Sequence, residues 1–171
     1  MTAMTNGILA RAANVALILA SAGVCAQLVY SQYSRANARL SMSAYHVGDR
    51  IGDSPELDLR TGHATLLLMT ASTCHFCTES MPFYRKLIPA AGRSGVRVIG
   101  ISNEEPNTNR SYLTENGIAV ARVVSIRGNH LKGSGTPTLI LVRNNGTVAG
   151  VWSGKLDSKA EGQVLDAIAA P

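Results

Sequence analysis

Cysteine is scarce in this sequence, and its scarcity is the first constraint. The 171 residues hold three, Cys25, Cys74 and Cys77. A disulfide-stapled fold needs more cysteines at wider spacings, and a structural zinc site needs four ligands, typically from two close pairs. With one close pair only, neither class applies. Aromatics are few as well, 5% of residues with a single Trp, and no basic stripe interleaves with them, so nucleic acid is not an expected partner. Acidic residues are missing before Asp49, and no side chain of either charge occurs from Ala12 to Ser34. Three of the sixteen basic residues, Arg11, Arg35 and Arg39, precede residue 41, which leaves thirteen basic against eleven acidic in the remainder. The net charge of +5 is therefore mostly an N-terminal imbalance and carries no message about the rest of the chain.

The uncharged stretch sets the expected organisation: a tail over 1–11, an apolar segment over 12–30, a polar aperiodic tether over 31–46 and a folded domain over 47–171. About 20 apolar residues span a bilayer as a helix, so 12–30 is read as a transmembrane anchor. The alternative is a cleaved signal segment, with Val24-Cys25-Ala26 as the small-residue site, although an h-region runs only about 7–15 residues. Cys25 inside this stretch is expected to be an inert small hydrophobe, and Arg35 and Arg39 to lie near lipid headgroups. The basic residues after the segment, taken alone, favour a cytoplasmic C-terminal domain. A lone thiol pair tethered to a membrane suits an oxidising compartment better. The expectation is a single-pass (inner) membrane protein with its C-terminal domain extracytoplasmic, periplasmic in a bacterium.

The pair itself reads Ser72-Thr73-Cys74-His75-Phe76-Cys77-Thr78-Glu79. It follows an apolar run, Ala64 to Ala71, within which Thr65 to Met69 reads as a buried strand. It opens a helical pattern with Met81, Phe83, Leu87 and Ile88. Two thiols then sit where unpaired backbone N–H groups and the helix dipole favour a thiolate, the form that attacks disulfides. Glu79 reads as a first-turn residue favourable to the dipole, with a proton relay as its other role. A protonated His75 would stabilise a neighbouring thiolate and make the disulfide more oxidising, or it is a solvent-exposed residue of no such effect. Phe76 reads as a surface hydrophobe for docking.

Downstream, Val96 to Ile101 reads as a second strand, Asn109 to Glu115 as a short helix closed by Asn116-Gly117, and Ala121 to Ile126 as a further strand. Two β-rich runs around Asn144-Asn145-Gly146 give a hairpin, entered at Pro137 where a strand tolerates proline. Ser158-x-x-Glu161 reads as a capping box for a terminal helix. The sum is an α/β fold, one mixed central sheet flanked by helices.

Strand, Cys74-His75-Phe76-Cys77, a helix with Pro82 five residues on, strand, then Gly135-Thr136-Pro137-Thr138 before a hairpin and helix: this order resembles the thioredoxin superfamily. The extra helix and strand before Thr136 resemble the insertion of its TlpA/ResA-like branch, and the layout is also similar to MauD-type accessory thioredoxins. The resemblance covers Val47 to the C-terminus. It implies a membrane-anchored thiol–disulfide oxidoreductase serving extracytoplasmic protein maturation, cytochrome c biogenesis among its uses. Cys74 and Cys77 would be catalytic, and Thr136 with a cis Pro137 would hold a client's extended backbone. The cysteines carry the electrons, so no cofactor and no metal are implied. The implied partners are disulfide-bearing protein clients and, for a reductant, a membrane electron-donor protein.

The sequence departs from the superfamily pattern in two places. Ser72 and Thr73 stand where a Trp usually precedes the first cysteine. Leu68 stands where thioredoxins bury an acid, which leaves His75 and Glu79 as the nearest groups by sequence for proton transfer to Cys77. The competing class is a copper-binding chaperone on the same scaffold, using Cys74, Cys77 and His130. A peroxiredoxin pattern is excluded, because Leu67 and Ala71 occupy the positions where Pro and Thr would precede Cys74, and Thr70 and Cys74 those preceding Cys77.

Overall fold

The computed structural model describes residues 20–21, 23–28, 45–60, 62–126, 131–132 and 135–170. The chain divides into two units, Met1–Met42 and Ser43–Pro171. In the first, residues 20–21 and 23–28 are helical and exposed, and Cys25 is an exposed free thiol. Among the described residues no helix is long and apolar enough to cross a membrane. Most of the expected anchor over 12–30, most of the tether and His130 lie outside the described residues.

The second unit is built on a five-stranded mixed sheet. Its strands are β1 (Thr65–Met69), β2 (Arg97–Ser102), β3 (Arg122–Ser125), β4 (Thr138–Val142) and β5 (Val148–Ser153), in the spatial order β3-β2-β1-β4-β5. Among the described residues of this unit three helices accompany them: α1 (His75–Arg93), α2 (Pro106–Glu115) and α3 (Ser158–Ala169). β1 pairs parallel with β2 and antiparallel with β4, so it lies at the centre of the sheet. All five of its residues are buried, as expected for a short uninterrupted apolar strand covered on both faces.

Alternation along the strands sorts the core into two layers. Leu66, Leu68, Val98, Leu139 and Leu141 pack with Met81, Phe83, Tyr84 and Leu87 of α1, Leu113 of α2, and Val164 and Ile168 of α3. Leu67, Met69, Ile99, Ile101 and Ile140 point the other way, against Tyr45, Ile51, Leu57, Leu59 and Leu131. Each such leucine or isoleucine, fully buried, contributes about 1.5–3 kcal/mol of transfer free energy. Core packing therefore fixes where β1 ends, and with it where the cysteine motif begins.

Two helix starts differ from the sequence reading, and β2 and β3 are displaced by one residue at their ends. The terminal helix is capped by Asp157, whose carboxylate accepts the Ala160 N–H at 2.8 Å, and not by Ser158. Ser158 is the first helical residue, so Ser158-x-x-Glu161 is displaced one position from a capping box. The short helix starts at Pro106 rather than Asn109, because proline at a first helical position gives up no hydrogen bond. The hairpin forms as expected around Asn144-Asn145-Gly146. Gly146 has φ +81°, and a Cβ there would lie 3.1 Å from the Ile51 carbonyl, so both the turn and the neighbouring chain require glycine.

Candidate active site

Cys74 is the N-cap of α1, with extended backbone angles, and its sulfur accepts the Cys77 N–H at 3.1 Å. Cys77, three residues on, is the third residue of the helix. The spacing puts both side chains on one side of the first turn, with Cα atoms 5.2 Å apart, and the two are joined as a disulfide. Cys74 is half-buried, whereas Cys77 has no exposed surface. An exposed partner therefore reaches Cys74 first. α1 contains Pro82 and Pro89 within its 19 residues.

Across from the thiols lies the loop that enters β4. The Thr136–Pro137 bond is cis, as the resemblance implies. The Thr136 carbonyl oxygen is 3.4 Å from Cys74 Sγ, an acceptor for the thiol hydrogen once the pair is reduced. Hydrogen bonds hold this loop: the Thr138 hydroxyl donates to the Gly135 carbonyl at 2.6 Å, and Gly154 N–H to the Pro137 carbonyl at 2.8 Å. Thr136 is half-buried and Pro137 buried. Topology explains the meeting, since β4 lies directly beside β1 and both loops leave the same end of the sheet.

His75, Phe76 and Glu79 project outward. Phe76 is 55% exposed, and its ring tilts against His75. His75 Nε2 is 3.2 Å from Glu79 Oε1, and Lys155 Nζ is 3.0 Å from Glu79 Oε2. The hydrogen bond from Lys155 holds the Glu79 carboxyl below its ordinary range. Glu79 is the fifth helical residue, so the first turn of α1 contains no acid, contrary to the sequence reading. The position of the thioredoxin acid is filled by Leu68, fully buried. Tyr84, buried nearby in the helix core, has its phenol pushed up to about 12 by desolvation, so it stays neutral.

The inner side of the motif holds residues that proximity in sequence did not suggest. Both oxygens of Glu104 accept the Ser72 N–H, at 2.9 and 3.1 Å, and the Ser72 hydroxyl donates to Oε1 at 2.8 Å. Burial alone would raise the Glu104 pKa, but these bonds from Ser72, with others from Asn109 and the Thr73 backbone, hold it below the ordinary carboxylate range. Asn109, fully buried on α2, binds Thr70 twice: it accepts from the hydroxyl at 3.1 Å and donates to the carbonyl at 3.1 Å. Thr78 and Tyr112 hydroxyls, 3.0 Å apart, tie α1 to α2. One rule could have found Glu104: groups placed just past the C-terminal ends of adjacent parallel strands converge.

No protein-family model and no curated protein matches the sequence. Solved structures do. A Chlorobium tepidum protein assigned as thiol:disulfide interchange protein DsbE is 22% identical, over 73% of this chain and 99% of its own, with TM-score 0.55. A thiol-disulfide isomerase from Corynebacterium glutamicum is 22% identical over 75% of this chain and 95% of its own, with TM-score 0.51. The chain has a thioredoxin-like fold. The peroxidoxin BcpB of Mycobacterium tuberculosis shares that fold at 17% identity and TM-score 0.57, over 74% of this chain and 98% of its own. One scaffold thus carries different chemistries, and the residues of the site decide which one a chain performs. Among the described residues no group of three His, Cys, Asp or Glu side chains could hold a metal ion.

Proposed function

We propose that the protein is a thiol–disulfide oxidoreductase that exchanges disulfides with protein clients through Cys74 and Cys77. One observation carries this reading: a half-buried Cys74 caps a helix, disulfide-bonded to a buried Cys77, and faces the Thr136 carbonyl at 3.4 Å. In the reductive direction the Cys74 thiolate attacks a client disulfide, forming a mixed disulfide and releasing one client thiolate. Cys77 then gives up its proton and attacks Cys74, which releases the second client thiolate and leaves the Cys74–Cys77 disulfide. The Thr136 backbone pairs with the client's extended segment beside the sulfurs, and exposed Phe76 offers it an apolar contact.

The direction we propose is reductive. A stabilised thiolate makes a disulfide oxidising, and His75, inside the motif, is the nearest residue in sequence that could supply a positive charge. Its imidazole lies against the Glu79 carboxylate, which compensates that charge when it is present. The uncharged segment over 12–30 supports a membrane anchor that presents the domain outside the cytoplasm, where a membrane protein would return electrons to the pair. Clients in cytochrome or cofactor-enzyme maturation follow from the resemblance.

The test is exchange by the full chain with a disulfide-bearing protein, followed by gel trapping. Cys74→Ser is expected to abolish turnover, and Cys77→Ser to accumulate mixed disulfides with the client. Turnover by Cys74→Ser at the wild-type rate would end this assignment.

A further inference from the structure

A parallel ladder persists only while both strands stay extended. At the end of β1, Thr70 N–H still finds the Ile101 carbonyl at 3.0 Å. The next donor on the same edge is Ser72 N–H, whose rung would fall on residue 103. β2 stops at Ser102, and Ser72 N–H bonds a side chain instead of continuing the ladder. The Glu104 side chain takes the place of that rung, with both oxygens on Ser72 N–H and one also on its hydroxyl. Glu104 is itself held, its N–H donating to Ser102 Oγ at 3.1 Å. A charged acceptor on a backbone N–H makes a shorter and stronger bond than a neutral one. The span from Thr70 to Ser72 is thus fastened at one end by Asn109 and at the other by Glu104, and Cys74 follows two residues later.

We propose that Glu104 is a positioning residue for Cys74: it closes the loop between β1 and α1 so that the sulfur stays over the Cys77 N–H. This deepens the oxidoreductase reading and rests on it for its purpose, since a positioned thiolate matters only if Cys74 is the attacking group. Glu104 acts through the Ser72 backbone. When the pair is reduced, the Cys77 N–H at 3.1 Å is the donor that favours the Cys74 thiolate. A slack loop moves the sulfur off that donor and raises the pH needed to form the thiolate. A pure charge effect has the opposite sign, because removing a nearby anion would make the thiolate easier to form. Other ionisable side chains flanking the motif, His75 and Lys155 on Glu79 and Tyr112 against Thr78, stay constant across a Glu104 series.

The experiment is iodoacetamide alkylation as a function of pH, on the full chain carrying Cys25→Ser and Cys77→Ser so that Cys74 is the one thiol. Glu104→Ala, Glu104→Asp and Glu104→Gln are compared with Glu104. Aspartate keeps the charge but falls a methylene short; glutamine loses the charge but keeps an oxygen for Ser72 N–H. The expected result is that Ala and Asp move the profile up by about half a pH unit, roughly threefold slower alkylation below the midpoint. Gln stays at the parent profile or below it. Coincident profiles, Gln moving up with Ala, or Asp staying with the parent would each overturn the proposal. If the Ala variant does not fold, the Asp and Gln pair decides the matter alone. Alkylation needs no client, so a chain that failed to exchange disulfides would sink the oxidoreductase reading without touching this result.

Discussion

Two carboxylates flank the cysteine motif, and they are held in opposite ways. Outside, Glu79 joins His75 and Lys155 in ion pairs whose members are 36%, 78% and 50% exposed. Inside, Glu104 faces a backbone N–H and a hydroxyl in a half-buried network that continues through Asn109 to Thr70. Exposed pairs trade water contacts for Coulomb attraction at high dielectric and gain little. A backbone donor that loses its partner in a half-buried loop has no equivalent replacement, so its bond fixes geometry. The outer flank therefore tunes charge near the motif, while the inner flank determines where Cys74 sits.

Breaking the inner flank should produce the larger effects. Asn109→Leu strips the buried Thr70 hydroxyl and carbonyl of their partners and is expected to cost about 1–3 kcal/mol in urea unfolding. An undiminished unfolding midpoint would show that Asn109 is not a clamp. A second, smaller effect follows from acid. Glu104 titrates lower in the fold than its ordinary value of 4.5, so its stabilisation is complete above that value and is lost as pH falls through the folded pKa. The stability gap between the parent and Glu104→Gln should accordingly be widest near neutral pH and shrink below about pH 4.5. A gap that grows on acidification would reverse the sign of this account. Smallest of all should be Lys155→Ala. It removes the hydrogen bond that lowers the Glu79 pKa, so the Glu79 carboxyl should titrate higher in an NMR titration while the melting temperature stays unchanged. A large drop in melting temperature would erase the contrast between the two flanks.

The same contrast explains what the sequence could reveal. The strand at Thr65–Met69, the helix after Cys74 and the Asn144-Asn145-Gly146 hairpin are local patterns, each legible from periodicity or turn chemistry. The Thr136–Pro137 loop became legible through the resemblance, since no local rule brings residue 136 beside residue 74. Glu79 drew notice because it is five residues from Cys74. Glu104, thirty-two residues from Ser72, was invisible until β2 was aligned beside β1, because the ladder register determines which side chain replaces a missing rung. The cap at Asp157 was misplaced for a local reason: Asp157 and Ser158 are adjacent residues of equal capping aptitude, and only the chain's entry angle decides between them.

An exchanging redox pair and a structural disulfide differ in how readily they are reduced. The reduction potential of the full chain, equilibrated with thiol–disulfide buffers, separates the two for Cys74 and Cys77. The expected result is a two-electron transition near the value of thioredoxin, about −270 mV, as befits a reductant whose His75 imidazole is paired with Glu79. A disulfide that resists reduction below about −300 mV, as structural ones do, would contradict the exchange reaction itself. A value near −120 mV would contradict the reductive direction.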